Sequence, residues 1–247
     1  MKIAARTDIG MQRELNEDCY FVSDAPVSMF EKLLIVSDGM GGHDAGEVAS
    51  RMAVDAVVSY LETASINMPL FTLEQAVYAA NLEVRKYSEA NEGIDLGTTL
   101  VICGIIAGHA YVANVGDSRL YLLNRYAYSI RQITKDHSYV EEMVARGLMT
   151  RNSEEYMRQK QVITRAVGFF PETEPDLFDF GLEEGDMILL CTDGLTNMLK
   201  NVVIKNLALD DSFTLEKRAD TLIDEANHMG GRDNITVILA EREDQDD

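Results

Sequence analysis

The chain has 247 residues, with 22 Lys+Arg against 42 Asp+Glu, a net charge of −20 and 46% hydrophobic residues. That length and hydrophobicity suffice for a sizeable core and exclude a disordered protein, while the acidic excess disfavours general binding to nucleic acid or to an anionic membrane surface. No stretch approaches ~18 uninterrupted apolar residues, and no apolar run near the N-terminus leads to a small-residue cleavage site, so a cytoplasmic, unprocessed protein is expected.

In chain order, strands are expected at Cys19–Ser23 and Leu33–Ser37. Apolar residues then recur at helical spacing through Gly46–Ala64 (Val48, Met52, Val54 to Val58) and Leu73–Ala90 (Ala76, Val77, Ala80, Val84), which predicts two amphipathic helices. Runs rich in β-branched residues at Thr98–Ile106, His109–Val115 and Arg119–Leu123 follow at hairpin distances, with Gly108 and Asn124 as turn residues. A strand at Met187–Cys191, a helix at Leu215–Asn227 and a last strand at Ile235–Ala240 complete the series. This order is not a βαβ alternation and points to an α+β fold of antiparallel sheets with helices packed outside. Without a linker or repeat, one domain over 1–240 is expected, with residues 241–247 as a solvated acidic tail. Cys19, Cys103 and Cys191 lie far apart in apolar runs and read as buried thiols, not as a zinc or dithiol site.

The aspartates carry the functional signal. Asp38 follows the strand ending at Ser37 and opens Asp38-Gly39-Met40-Gly41-Gly42-His43; Asp193 follows the strand before it and opens Asp193-Gly194. Asp117 stands after His109–Val115, and Asp233 just before the last strand. One Asp-Gly reads as a turn. Four such acids gathered on one rim would repel one another unless a cation neutralised them. Oxygen donors without His or Cys suit Mg²⁺ or Mn²⁺, and glycine lets the Gly39 carbonyl approach a metal closely. Arg13, in Arg13-Glu14-Leu15-Asn16-Glu17-Asp18, is suited to gripping phosphate oxygens, and a surface ion pair with Glu14 or Glu17 stays equally open.

Ordered motifs run from Thr7 to Ala240: Thr7-Asp8-Ile9-Gly10, Asn16-Glu17-Asp18, Ser37-Asp38-Gly39-Met40-Gly41-Gly42-His43, Gly97-Thr98-Thr99-Leu100 and Asn114-Val115-Gly116-Asp117-Ser118-Arg119. Ile163-Thr164-Arg165-Ala166-Val167-Gly168, Thr192-Asp193-Gly194-Leu195 and Gly231-Arg232-Asp233-Asn234 follow. Together they resemble the metal-dependent serine/threonine protein phosphatases of type 2C, in their compact bacterial form. The resemblance implies a four-layer αββα sandwich of two stacked antiparallel sheets with a small flap at 136–164. It implies a phosphoserine/phosphothreonine hydrolase that uses water activated by two Mn²⁺ or Mg²⁺ ions. Asp38 would bridge the ions, with Asp193 and Asp233 completing one site and Glu17 and the Gly39 carbonyl the other. Asp18 would act through water, Asp117 with Asp193 would recruit a more weakly held third ion, and Arg13 would hold the substrate phosphate. Where many members carry a histidine thought to protonate the leaving group, this chain has Met40; His43 is the candidate for part of that role, a metal-bound water serves as well, and a histidine that merely caps the following helix stays equally open. The usual His-Pro before the Ile-Thr-Arg motif is replaced by Glu154-Glu155-Tyr156-Met157-Arg158-Gln159-Lys160. The implied partners are phosphorylated serine/threonine proteins and a cognate kinase, met as a monomer. A phosphoesterase for small molecules and a metal-binding but inactive interaction module are the alternatives.

Overall fold

The computed structural model describes residues 1–42, 45–65, 67–91, 94–151 and 153–242. Its elements in chain order are β1 (Lys2–Asp8), β2 (Asp18–Val22), β3 (Lys32–Gly41), α1 (Ala45–Thr63), α2 (Pro69–Ala90), β4 (Leu96–Thr98), β5 (Leu100–Ile106), β6 (His109–Val115), β7 (Arg119–Asn124) and β8 (Ser129–Gln132). There follow α3 (Tyr139–Ala145), α4 (Glu154–Gln159), β9 (Asp176–Gly181), β10 (Asp186–Cys191), α5 (Asp193–Thr196), α6 (Asn201–Ala208), α7 (Leu215–His228) and β11 (Ile235–Glu241).

The strands pair antiparallel into two sheets, ordered β1-β11-β10-β7-β8 and β2-β3-β5-β6-β9, with β4 attached to β3. The central strands β5 and β10 are buried almost throughout because both of their faces meet protein. Between the sheets, Leu34, Val36, Val101, Cys103 and Val112 meet Leu120, Ile188, Leu190 and Ile238. The outer face of the β3 sheet packs Leu33, Ile35 and Ile102 under Ala53, Val57, Ala76 and Val77 of α1 and α2. The other outer face packs Leu189, Val237 and Leu239 under Ile204, Leu222 and Ile223 of α6 and α7. Two stacked sheets between two helical layers are therefore what the apolar faces require.

Several boundaries differ from the sequence expectation. The strand expected over Thr98–Ile106 is interrupted at Thr99, whose N–H donates to the Asp38 carbonyl and whose hydroxyl accepts the Asp38 N–H, both at 2.9 Å. The stretch after Asp38 does not turn at once. Gly39, Met40 and Gly41 pair with Thr98, Gly97 and Leu96, so β3 runs on to Gly41 and Asp38 lies inside it, in register with Asp18 of β2. β1, β9 and the short helices α5 and α6 were not anticipated. Glu241 belongs to β11 and pairs with Arg125 at 2.9 Å, so it is not part of a solvated tail; residues 243–247 lie outside the described residues. The segment 136–164 holds α3 and α4; Ser153 caps α4 by accepting the Tyr156 N–H. Among the described residues no helix is long and apolar enough to cross a membrane.

Candidate metal centre

The strand pairing brings acids from distant parts of the chain to one end of the sandwich. Asp18 opens β2, and its Oδ2 accepts hydroxyls from Thr192 (2.8 Å) and Thr236 (2.7 Å) of the opposite sheet. Its Oδ1 is buried with no hydrogen-bond partner among the described residues. Burial, reinforced by the charges of Asp193 and Asp233, pushes this carboxyl up to about 7 in spite of the two hydroxyls. Asp38, opposite it, is held well above the usual carboxylate range by burial and then by the charges of Asp18, Asp193, Asp117 and Asp233.

Asp193 is the first residue of α5, directly after the Thr192 that binds Asp18. Asn197, one turn on, donates from Nδ2 to Asp193 Oδ2 at 2.7 Å, and burial with the Asp233 charge pushes Asp193 up to about 6. Asp117 lies in the turn after β6, and its Oδ1 is likewise buried without a partner among the described residues. Burial, then Asp193 and Asp136, push it up to about 8. Asp233 accepts from Arg13 Nη2 at 2.8 Å, and Glu17 Oε2 lies 3.7 Å from Arg13 Nη1. Burial works against the Arg13 charge, but Asp233, Glu17 and Asp38 outweigh it and raise its pKa. Of the ion pairs left open for Arg13 in the sequence, the one with Glu17 is present at 3.7 Å, but the closer partner is Asp233, which the sequence did not indicate.

Backbone closeness at Gly39 has a structural cause that the sequence reading only half captured. The Gly39 N–H donates to the Glu17 carbonyl at 3.1 Å, and a Cβ on Gly39 would strike the Gly46 carbonyl oxygen. A Cβ on Gly46 would in turn strike Glu17 Oε1. Two facing glycines thus make the room in which the Glu17 carboxylate sits.

These acids fit a hard divalent cation. Every side-chain donor is an oxygen, two of the carboxylate oxygens are buried without a partner among the described residues, and a cation would offset the burial and mutual repulsion that raise these carboxyls. Among the described residues the acids do not close into a ready-made cage: Arg13 takes one oxygen of Asp233 and Asn197 one of Asp193. The fit therefore rests on donor chemistry and on the partnerless oxygens. The thiols are poor rival nucleophiles, since burial pushes Cys103 and Cys191 up to about 12 and also raises the half-buried Cys19.

Of the residues singled out in the sequence, Asp18, Asp38, Asp117, Asp193 and Asp233 are brought within electrostatic reach of one another, and Glu17, Gly39 and Arg13 stand beside them. His43 lies outside the described residues. The structure adds supporting groups that sequence reasoning missed. Asn234 accepts the Glu17 N–H and donates to the carbonyls of Ile9 and Leu15, which fixes the loop carrying Arg13. Thr192, Thr236, Asn197 and Gly46 are the others. Asn234 and Thr192 carried a signal only as motif neighbours of the aspartates, and Thr236, Asn197 and Gly46 lie outside those motifs.

The turn bearing Asp117 is held from behind by His137, whose Nδ1 accepts the Gly116 N–H at 3.1 Å, so its neutral ring carries hydrogen on Nε2, 3.3 Å from Asp176 Oδ2. Burial and the nearby Arg165 hold the His137 pKa below its usual value. Its contribution to stability is therefore complete above ~6.5, the unfolded value, and is lost as pH falls through the lower folded value. Thermal midpoints in chelator should fall further for the natural chain than for His137→Gln on acidification below ~6.5; parallel curves would contradict this.

A family model described as protein phosphatase 2C matches residues 12–224. The chain is 38% identical to the serine/threonine phosphatase stp of Listeria monocytogenes serotype 4b over 243 residues, covering 96% of this chain and 94% of that protein. Its fold superposes on the serine/threonine phosphatase of S. agalactiae with a TM-score of 0.89 at 34% identity, covering 98% of this chain and 99% of the other. A PstP serine/threonine phosphatase catalytic domain in complex with two manganese ions is similar as well, with a TM-score of 0.82, 33% identity and 97% of each chain covered.

Proposed function

The chain belongs to the protein phosphatase 2C family and is a Mn²⁺/Mg²⁺-dependent serine/threonine protein phosphatase, and from that premise we propose which of its residues do the work. Asp38, Asp193 and Asp233 would hold one ion, and Asp38, Glu17 and the Gly39 carbonyl the other. Asp18 would act through water, and Asp117 with Asp193 would take a third, weaker ion. When bound, such ions acidify water and offset charge on phosphoryl oxygens.

The chain's own groups do the rest. Arg13, half exposed at the edge of the acids, swings its planar guanidinium from Asp233 to the phosphate oxygens and orients the ester. Thr192 and Thr236 fix Asp18, and Asn197 fixes Asp193, so these carboxylates need little reorganisation as charge develops. The proton donor to the departing serine or threonine oxygen is assigned to His43, on sequence alone. The substrates are proteins phosphorylated on serine or threonine, in the cytoplasm, opposite a cognate kinase, and the enzyme acts as a monomer.

The single observation that supports this assignment best is the pair of buried oxygens on Asp18 and Asp117, without partners among the described residues, beside an all-oxygen donor set. Hydrolysis of a phosphothreonine peptide should require added Mn²⁺, stop with chelator and survive thiol alkylation, because two of the three thiols are buried. Turnover that ignores chelator and dies on alkylation would reject the metal centre.

A further inference from the structure

Within the charged stretch 154–160, most side chains face solvent; Arg158, for example, lies 3.4 Å from Glu154 on the exposed side of α4. Lys160 differs. It caps the C-terminal end of α4, is half-buried, and donates from Nζ to Asn197 Oδ1 at 2.7 Å. Asn197 Nδ2 donates in turn to Asp193 Oδ2, also at 2.7 Å. A lysine near a helix C-terminus ordinarily serves the helix dipole, but this ammonium is spent on a residue 37 positions away.

The chemistry of the relay admits one orientation. An ammonium has only donors and a carboxylate only acceptors, so the amide between them must present its oxygen to Lys160 and its NH₂ to Asp193. Without Lys160 the Asn197 amide is free to rotate, and a flipped amide would aim its oxygen at the Asp193 carboxylate and repel it. We propose that Lys160 is a positioning residue for the metal centre, acting through Asn197 to commit one oxygen of Asp193 to a hydrogen bond and leave the other for the ion. This rests on the assignment of Asp193 as an ion ligand.

Charge and positioning predict opposite signs, which makes the proposal testable. If Lys160 acted only as a nearby positive charge, removing it would tighten cation binding. If it acts through Asn197, removing it weakens binding on the scale of ligand-orienting partners, about tenfold. Calorimetric titration of Mn²⁺ into the full chain without substrate decides between them. Lys160→Met should bind Mn²⁺ about tenfold more weakly, with the KM for an aryl phosphate at saturating Mn²⁺ unchanged. Lys160→Gln, which keeps a donor without the charge, should recover the natural affinity. Asn197→Ala should be as weak as its double variant with Lys160→Met. Mn²⁺ affinity in Lys160→Met equal to or above that of the natural chain would overturn the proposal, as would additive losses in the double variant. Asp193→Asn separates the premise: natural Mn²⁺ affinity there would remove the ligand assignment itself, whereas loss in Asp193→Asn with none in Lys160→Met would remove only the relay.

Discussion

Asp38→Asn should abolish Mn²⁺-dependent turnover while making the metal-free protein harder to unfold. Asp38 lies where the fields of Asp18, Asp193, Asp117 and Asp233 overlap, and burial adds to their repulsion. Losing a ligand proposed to bridge two ions forfeits several kcal/mol of charge stabilisation, about 10³-fold in kcat at ~1.4 kcal/mol per decade. The same substitution removes a carboxyl whose ionisation opposes folding at neutral pH, so the thermal midpoint in chelator should rise. A raised midpoint with lost activity is the signature of a site held against the fold's own preference. A lower midpoint in chelator would mean that the acids are not in mutual repulsion, and undiminished turnover would remove Asp38 from the metal centre.

Gly46→Ala should leave the fold intact and damage the ion site. In the first turn of α1, alanine is intrinsically better than glycine by about 1 kcal/mol. The new Cβ, however, lands on Glu17 Oε1 and crowds the Gly39 carbonyl carbon at 2.9 Å. The tip of Glu17 can swing aside at small cost to packing, but it then leaves the position from which it would bind. The Mn²⁺ concentration for half-maximal activity should rise about tenfold or more with the far-ultraviolet spectrum preserved, while the close approach to the Gly39 backbone lowers the thermal midpoint in chelator. Unchanged Mn²⁺ dependence would show that Glu17 has no need of that space.

Legibility in the sequence followed the density and range of the signal. β5, β6, β10 and β11 were readable because their apolar runs are buried on both faces. α1 and α2 were readable because Val54, Val57, Ala76, Val77 and Ala80 repeat at helical spacing. β1 and β9 were not, because edge strands keep polar residues such as Lys2, Arg6, Asp176 and Asp179 on partly exposed positions and break the pattern. The acids could be picked out by their glycine-rich surroundings, yet that same context misplaced Asp38 in a turn, since only pairing with the distant β4, Gly39 with Thr98 through Gly41 with Leu96, extends β3 past it. The groups that orient the acids were the least legible. Asn234 serves Glu17 across 217 residues and Thr236 serves Asp18 across 218, and no local pattern encodes such contacts.

The two hydroxyls on Asp18 come from one leaf of the sandwich and the aspartate from the other. The clasp that keeps the leaves from shearing at this end is thus made of the same side chain proposed to serve the ions through water. Slippage of the leaves cannot occur there without dragging that side chain out of place, so loss of chemistry and the first loosening of the scaffold become a single mechanical event.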